Sequence, residues 1–446
     1  MFFTPKLSIN ILLYRAIKMK YNKFEKHIAK ILDRYPYIRQ ISKFIYQRLF
    51  YMVYYKKYFR YELHPKASLQ GILQKDNSQL EVFFGYYDKS PWSYDGKYYL
   101  VHVFDKQYKN KVKIGVYDCE CGSLNIIDET PAFNFQQGAM LGWLDQNSYN
   151  VIYNTVKNGN LIAKIKNAIS KSEIKTIPIP IQTINYEGTE ALTLNYKRLY
   201  KIRPEYGYNV SVENFSSDVS YEEDGIWRIN LNTEQSKLII SLAELITLNH
   251  NKFMDKSQHK INHIMYSPSG KRFVFMHRWI GYYGKFSRLY TMNNDDTDIY
   301  CLADDRMVSH YCWVDDEYLI AYARKEPIGD KYFLLKDKTE QFKIIGDNIL
   351  DVYGDGHPHI APNKEWVVMD TYPNKGRIRE LVLFNLKTEK KEVIGRFFAP
   401  WKYDGYYRCD LHPRWNPDGT KISIDSVHEG FRNSYIIDVS RIVKNE

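Results

Sequence analysis

A short pattern headed by histidine occurs four times in the second half of the chain. Each histidine stands three residues before an aromatic residue or an isoleucine, and a tight turn and a run of β-forming residues follow. Repeats of about 40 to 50 residues built from strand, turn and strand are typical of the four-stranded blades of β-propellers. The pattern therefore predicts a propeller. The four histidines are His263, His310, His357 and His412, so successive copies are 47, 47 and 55 residues apart.

Three further units with the same strand pattern precede the histidine repeats and bring the blade count to seven. They begin near Glu81, Phe135 and Asn185, and the third is interrupted by an insertion that contains Arg203-Pro-Glu-Tyr-Gly-Tyr208. The last blade has only three strands of its own, so we expect a strand near Ser68–Leu73 to complete it and close the ring. The sequence thus predicts an all-β fold, a seven-bladed β-propeller over residues 67–446.

The basic charge of the chain is concentrated in residues 1–66, ahead of the propeller. This segment has 15 Lys and Arg against 3 Asp and Glu, a balance of +12, which leaves 48 basic and 49 acidic residues, a balance of −1, for residues 67–446. Apolar residues at helical spacing, such as Ile28, Ile31 and Leu32, predict a basic helical N-terminal segment. Its apolar runs are too short and too often interrupted by Lys and Arg to span a membrane.

Two interpretations of this helical segment stay open. It is either a cap packed on the propeller with a solvated basic face, or an amphipathic anchor that lies on an anionic membrane surface. Nucleic acid is not an expected partner, because the rest of the chain is neutral and contains no recognised binding motif. The sequence shows no cleavable secretory signal, and its five cysteines form no zinc-binding spacing. We therefore expect a cytoplasmic protein, peripheral at the inner face of the membrane.

The propeller symmetry gives the repeated histidines a shared location. The innermost strands of all blades line the central channel, so residues at equivalent positions of different blades converge. We expect the four histidines at one mouth of the channel, together with Gln136 or Gln137, His359 and Asp410. Imidazoles and carboxylates can bind a divalent metal or transfer a proton near neutral pH. The alternative is that each repeated histidine only hydrogen-bonds the neighbouring blade.

Three arginines are predicted near the same mouth, namely Arg278, Arg408 and Arg414. A guanidinium group can bind a carboxylate through two hydrogen bonds. For Arg414, a salt bridge between blades is an equally good interpretation. A cation that neutralises a carboxylate beside a base is what removal of a proton α to that carboxylate requires.

Five motifs are spread over about residues 79–440. They are Gly85-Tyr-Tyr-Asp-Lys-Ser-Pro-Trp92, Asn262-His-Ile-Met-Tyr-Ser-Pro-Ser-Gly270, Asp355-Gly-His-Pro-His359, Asp370-Thr-Tyr-Pro373 and Asp410-Leu-His-Pro-Arg-Trp415. Together they resemble the seven-bladed propeller polysaccharide lyases, the oligogalacturonate lyase and ulvan lyase group. The resemblance implies β-elimination at a uronic acid residue, and hence a uronate-containing glycan as the partner.

The resemblance also implies roles for single residues. His310 falls at the histidine base of the oligogalacturonate lyase type, and in the ulvan lyase type histidines act together with a tyrosine. The implied divalent metal is Mn, Ca or Zn, although Asp410 stands where that group has a histidine and no glutamine is near it. The catalytic candidates are His310, His263, Arg278 and Tyr208, the substrate-binding candidates are Gln137, Arg408, Arg414 and Tyr206, and the metal-binding candidates are His357, His359, Asp410 and His412.

Three classes of function remain open on this basis. The first is a lyase on a uronic-acid-containing glycan, in the handling of a bacterial surface polysaccharide. The second is a non-catalytic propeller that binds a glycan or protein at the channel mouth and is anchored by its helices. The third is a glycan-processing hydrolase or transferase on the same scaffold. Fold alone does not distinguish them.

Overall fold

Seven antiparallel sheets arranged as blades make up the fold in the computed structural model, which describes residues 36–54, 59–74 and 79–444. The predicted all-β, seven-bladed propeller is confirmed. Two strands precede the first blade, β1 (Tyr61–Leu63) and β2 (Ser68–Gly71). The helices are α1 (Pro36–Tyr54), α2 (Tyr196–Ile202), α3 (Leu242–Thr247) and α4 (Ser440–Val443), with a 3₁₀ turn at Gly405–Tyr407.

The blades follow one another along the chain, and each runs from the channel outwards. Blade 1 consists of β3 (Leu80–Phe83), β4 (Tyr98–Asp105), β5 (Val112–Asp118) and β6 (Leu124–Thr130), blade 2 of β7 (Gly142–Trp143), β8 (Asn150–Lys157), β9 (Asn160–Asn167) and β10 (Glu173–Ile177), and blade 3 of β11 (Thr183–Ile184), β12 (Glu190–Thr193), β13 (Gly225–Asn230) and β14 (Ser236–Ser241).

The four histidine-headed units form blades 4 to 7. Blade 4 consists of β15 (Gln258–Tyr266), β16 (Arg272–Gly281), β17 (Gly284–Asn293) and β18 (Tyr300–Ala303), and blade 5 of β19 (Val308–Trp313), β20 (Tyr318–Lys325), β21 (Gly329–Lys336) and β22 (Phe342–Ile344). Blade 6 consists of β23 (His359–Ile360), β24 (Trp366–Asp370), β25 (Ile378–Asn385) and β26 (Lys391–Phe398), and blade 7 of β27 (Arg414–Trp415), β28 (Lys421–Ser426) and β29 (Asn433–Asp438).

Strand β2 closes the ring, as the sequence predicted. It pairs antiparallel with β29, so that Leu69 lies opposite Ile437 and supplies part of the missing outer strand of blade 7. Strand β1 was not predicted, since it lies in the segment that was expected to be helical. It pairs with β26 and adds a fifth strand to blade 6, because the outer edge of that sheet offers free backbone groups.

A repeated turn joins the innermost strand of several blades to the next strand. Its fourth residue is a glycine in the left-handed region, with φ of 70 to 72°, where a residue without Cβ pays no steric cost. The backbone bonds of this turn run from Gly96 N to Ser93 O, from Gly270 N to Ser267 O and from Gly419 N to Asn416 O, at 2.8 to 3.1 Å.

Apolar faces of neighbouring blades pack against each other and fix the ring. Between blades 6 and 7, Trp366 and Leu381 pack with Trp415 and Tyr435, and all four are buried. Packing of this kind makes the inner strands a rigid frame for the side chains at the channel.

Helix α1 lies outside the ring, next to blade 6. Tyr51 packs edge-on against Trp401 with ring centroids 5.8 Å apart, and the guanidinium of Arg48 lies 4.6 Å from the centroid of the same tryptophan ring. Residues 1–35 of the predicted helical segment lie outside the described residues. Within the described ranges, no helix has both the length and the apolar character that a membrane crossing requires.

Candidate active site

Irregularities in the inner strands place two of the four repeated histidines. His263 lies where the pairing of β15 with β16 shifts between Asn262 and Met265, and His310 lies where the pairing of β19 with β20 shifts between Val308 and Tyr311. A β-bulge of this kind changes the direction of a side chain. His263 also has a φ of 56°, a conformation that is costly for a residue with Cβ and tends to occur at functional sites.

The remaining two histidines immediately precede short inner strands. His357 lies two residues before β23 and His412 two residues before β27. His412 shares the left-handed backbone of His263, with a φ of 43°. Both histidines therefore enter the channel from loops that the adjoining blades hold in place.

The four imidazoles converge, as expected from the propeller symmetry. The ring centroids of His310 and His357 are 4.1 Å apart, those of His357 and His412 are 4.3 Å apart, and those of His263 and His310 are 6.1 Å apart. All four side chains are buried. Groups in contact with them reach solvent, since Asp355 is half-buried and Tyr372 is exposed.

Hydrogen bonds at Nδ1 fix three of these rings. His310 Nδ1 donates to Asp355 at 2.9 Å, His357 Nδ1 donates to Asp370 at 2.8 Å, and His412 Nδ1 donates to Gly85 O at 2.8 Å. Because each acceptor is an oxygen without a proton, the hydrogen sits on Nδ1 and each Nε2 keeps a free lone pair. The Nε2 atoms of His357 and His412 are buried and have no hydrogen-bond partner among the described residues.

The carboxylate of Asp370 joins the loops of blades 6 and 7. One of its oxygens accepts from both the backbone N and Nδ1 of His357, at 2.8 Å each. The other accepts from the backbone N of Leu411 and of His412, at 3.1 Å each. One buried side chain thus orients the imidazole of His357, the usual task of a carboxylate behind a metal-binding histidine, and fixes the backbone that carries His412.

Asp410 carries a negative charge into the same site. Arg408 Nε lies 2.7 Å from one of its oxygens, and a terminal nitrogen of Arg379 lies 2.7 Å from the other. Burial by itself raises the pKa of this carboxyl, but Arg408 and Arg379 outweigh burial and hold the pKa of Asp410 far below its usual range. The carboxyl is therefore ionised.

Three of the four predicted metal-binding residues form one group. One ligand atom each from His357, Asp410 and His412 lies within 4.8 Å of the others, and all three residues are buried. Two unprotonated imidazole nitrogens and a carboxylate suit Mn, Fe or Zn, and the unpartnered Nε2 atoms fit such an ion. His359 lies outside this group, because its Nδ1 accepts from the backbone N of Trp415 at 3.4 Å and its ring belongs to the contact between blades 6 and 7.

The base candidate His310 is paired with an acid. The second oxygen of Asp355 accepts from Ser309 Oγ at 2.6 Å, so the carboxylate is held on both sides. Burial lowers the pKa of His310, and the neighbouring Asp355 only partly offsets that shift. His310 is therefore neutral and has a proton acceptor at Nε2.

The predicted tyrosines and glutamine have different placements. Tyr206 packs edge-on against His263 with centroids 5.6 Å apart, whereas Tyr208 stacks on Tyr196 in the core between blades and its hydroxyl accepts from Asn154. Tyr208 is therefore away from the imidazoles. The glutamine at the site is Gln136, which exchanges two 2.8 Å hydrogen bonds with Arg408.

Gln137, the predicted substrate-binding glutamine, is instead buried beside the backbone of Gly85, and its backbone N bonds Asn134 Oδ1 at 2.7 Å. Arg414 is fully buried and donates to the carbonyls of Gly85 and Tyr86 and to Asp425. Its salt bridge with Asp425 lies within blade 7 and not between blades as the alternative interpretation had it, whereas its bonds to the two carbonyls join blade 7 to blade 1. Arg414 is therefore a structural residue. Arg278 and Arg408 remain partly exposed at the site.

Two tyrosines of blade 1 complete the site and were not predicted. The hydroxyl of Tyr86 lies 3.1 Å from His263 Nε2, and its ring stacks on that imidazole with centroids 4.8 Å apart. Tyr87 donates to Tyr311 O and accepts from Tyr311 N, at 3.0 Å each, across the channel. The sequence signal for them is the Gly85-Tyr86-Tyr87 motif, whose glycine has a φ of 120°.

No protein-family model matches the chain, and no curated protein matches it significantly. Among solved structures, oligogalacturonate lyase from Vibrio parahaemolyticus is similar with a TM-score of 0.58 and 13% identity, and an oligogalacturonate lyase in complex with manganese with a TM-score of 0.59 and 14% identity. Both alignments cover 85% of this chain and 96% of the other. The chain has the fold of oligogalacturonate lyase. The resemblance predicted from the motifs is thereby confirmed at the level of fold.

Proposed function

We propose that the protein is a lyase that cleaves a uronic-acid-containing glycan by β-elimination. The observation that carries this proposal is the buried His310, hydrogen-bonded to Asp355, beside the buried group of His357, Asp410 and His412. A base next to a site for a cation is what removal of a proton α to a carboxylate needs. The similarity to oligogalacturonate lyase structures supports the same class of substrate.

In the proposed reaction, Nε2 of His310 takes the proton from C5 of the uronate. The C5–H electron pair forms a double bond between C4 and C5 as the bond from C4 to the glycosidic oxygen breaks. The leaving oxygen takes a proton from solvent or a site hydroxyl. Arg278 stabilises the negative charge that develops on the carboxylate, because it is a partly exposed cation that has no carboxylate partner among the described residues and, after burial, contributes to the lowered pKa of His263 beside it.

His357, His412 and Asp410 are the residues that would hold a divalent metal. A bound metal would supply a Lewis acid for the carboxylate. The three side chains are buried, Asp370 keeps the imidazole of His357 oriented, and the carbonyl of Gly85 does the same for His412.

The test is the absorbance near 235 nm of the conjugated product, measured with oligogalacturonate and other uronate oligosaccharides. We expect the wild-type protein to produce this absorbance and His310→Ala to lower the rate by about 10²- to 10⁴-fold, the usual contribution of a general base. Tyr208→Phe is the matched control at a predicted residue that lies away from the imidazoles, and we expect it to retain activity. Binding of the glycan without any absorbance change would instead favour the non-catalytic propeller.

We further propose that helix α1 holds the protein on the cytoplasmic face of an anionic membrane. Its apolar residues Ile41, Phe44, Ile45, Leu49, Met52 and Val53 are all exposed, at 45 to 74%. An apolar helix face within residues 1–66, a segment with a charge balance of +12, fits a membrane surface that offers both acyl chains and negative charge.

Sedimentation with lipid vesicles tests this location. We expect the full-length protein to pellet with vesicles that contain phosphatidylserine and much less with phosphatidylcholine alone. The double variant Ile45→Glu and Leu49→Glu should abolish pelleting, whereas Ile174→Glu, the same change at an exposed position of blade 2, should not. Equal pelleting of all three proteins would overturn the proposed location.

A further inference from the structure

A buried lysine whose amine has no hydrogen-bond partner in the described part of the chain lies on the same inner strand as His263. Lys260 is in the inner strand β15, three residues before His263, and pairs across the sheet with Arg278 of β16. Its side chain is only 2% exposed, and its Nζ has no hydrogen-bond partner among the described residues. An isolated buried ammonium is strongly disfavoured, so the site either keeps this amine neutral or receives an anion.

The charges around Lys260 are mostly of its own sign. Three nearby cations lower the pKa of Lys260, namely Arg278 of β16, Arg203 of the insertion and Lys285 of β17. The carboxylate of Glu205 raises it. The carboxylate of Glu205 is engaged by Arg203, whose Nε lies 3.4 Å away. Burial first, and then Arg278, hold the pKa of Lys260 well below its usual range.

The neighbouring Arg278 is also without an acidic partner. Its Nε contacts the sulfur of Met276 at 2.6 Å, and a terminal nitrogen donates weakly to Val308 O at 3.4 Å. No carboxylate of the described residues lies within ion-pair distance of it, in contrast to Arg408 and Arg379, which share Asp410. Arg278 is half-exposed, so a ligand can reach the pair from its side.

We propose that Lys260 and Arg278 together bind the ionised carboxylate of the substrate sugar, and that Lys260 takes up a proton from solvent as the carboxylate binds. The proposal rests on the proposed function for the identity of the ligand. The bound sugar must then carry a free carboxylate, because a methyl ester has no charge to balance the two cations. Lys260 is thereby a substrate-binding residue whose charge state depends on the ligand.

Calorimetric titration with trigalacturonate tests the proposal. All proteins are full-length and carry His310→Ala so that the ligand is not consumed, and the titration is run at pH 8 in buffers of different ionisation enthalpy. We expect proton uptake that approaches one per ligand bound, and no comparable binding of the trigalacturonate methyl ester. Lys260→Met, a neutral side chain of similar length, should abolish the proton uptake and weaken binding about tenfold. Lys260→Arg, which is permanently charged, should keep the affinity without proton uptake.

Thermal unfolding separates this role from a structural one. Because Lys260→Met replaces an unpaired buried amine with an apolar group, we expect its melting temperature to be equal or higher while binding is weaker. Equal affinity and equal proton uptake in Lys260→Met would overturn the proposal, as would a lowered melting temperature with unchanged binding. Proton-coupled binding without any 235 nm product in the His310-containing protein would overturn only the proposed function.

Discussion

At the scale of single residues, Asp370 determines how the candidate metal ligands are presented. Its two oxygens accept four hydrogen bonds, from His357 on one side and from Leu411 and His412 on the other. All four donors are N–H groups, so both terminal atoms of the side chain at position 370 must be hydrogen-bond acceptors. The arrangement leaves both Nε2 atoms free and on the same side as Asp410.

Asp370→Asn should therefore weaken metal binding. The amide nitrogen of asparagine would face N–H donors on one side, and we expect the affinity for Mn²⁺ to fall about 10- to 100-fold, the usual effect of losing such a carboxylate. Free Mn²⁺ measured by electron paramagnetic resonance gives this affinity. Asp347→Asn, a change at an exposed carboxylate of blade 5, should leave it unchanged. Unaltered affinity in Asp370→Asn would show that the loops are held by other means.

Residue spacing predicted the convergence of the histidines but not the roles of their neighbours. Equivalent positions in symmetric blades must meet at the channel, so the spacing was sufficient for His263, His310, His357 and His412. Tyr206 and Tyr208 lie in an insertion without a counterpart in other blades, and nothing in the repeat indicates which of them reaches the site. The structural role of Arg414 follows from its buried salt bridge with Asp425, which lies 11 residues further along the chain and was not recognisable as its partner from the repeat.

At the scale of elements, the segment that follows β3 crosses the channel and connects blade 1 to the blades on the other side. Gly85 holds a φ of 120°, and its carbonyl accepts from His412 and Arg414, while Tyr86 and Tyr87 contact blades 4 and 5. A Cβ at Gly85 would lie 2.8 Å from the backbone carbon of Gln137. Only glycine fits this crossing.

Gly85→Ala should accordingly disturb both stability and the site. We expect a loss of about 1 to 3 kcal/mol in the free energy of unfolding, from overpacking against backbone that cannot move aside. Gly96→Ala is the matched control, since Gly96 also has a positive φ but has open space around it, and it should cost about 1 kcal/mol. Urea unfolding of the three proteins measures the difference. An equal loss in both variants would mean that the contact with Gln137 is relieved by small shifts.

At the scale of the whole molecule, the propeller contains buried imidazoles that must stay neutral. His102 donates from Nδ1 to Phe84 O at 2.9 Å and accepts at Nε2 from Ala139 N at 3.0 Å, so a second proton would remove the acceptor. Burial lowers the pKa of His102 to about 4 from 6.5. The unfolded chain therefore binds a proton at His102 at a higher pH than the native protein does.

This difference makes the fold sensitive to acid. The stability from a neutral His102 is complete above pH 6.5 and is lost as the pH falls from 6.5 towards 4, by a total on the order of 3 kcal/mol. Melting temperatures between pH 7.5 and about 4.5 would show the fall. His102→Gln, which can still donate and accept, should flatten that dependence, whereas His250→Gln at an exposed position should not. Parallel curves for wild type and His102→Gln would contradict the assignment.

The overall architecture was largely predictable because it is repetitive. Four histidine-headed units and three further units with the same strand pattern gave the blade count, and the shortage of one strand in the last blade indicated that β2 would close the ring. Strand β1 was not predictable from the sequence. Its three residues form a strand because they pair with the free edge of blade 6. Single pairings of this kind depend on the assembled surface and leave no periodic signal in the sequence.

The central claim is that radial symmetry brings His357, His412 and Asp410, from separate loops, into one site beside His310. Crystals of the full chain grown with Mn²⁺, with diffraction data collected at the manganese absorption edge, test this most directly. We predict an anomalous peak in contact with Nε2 of both histidines and with a carboxylate oxygen of Asp410. A map without that peak, in which Arg408 and Arg379 alone satisfy Asp410 and the imidazoles point apart, would contradict the claim.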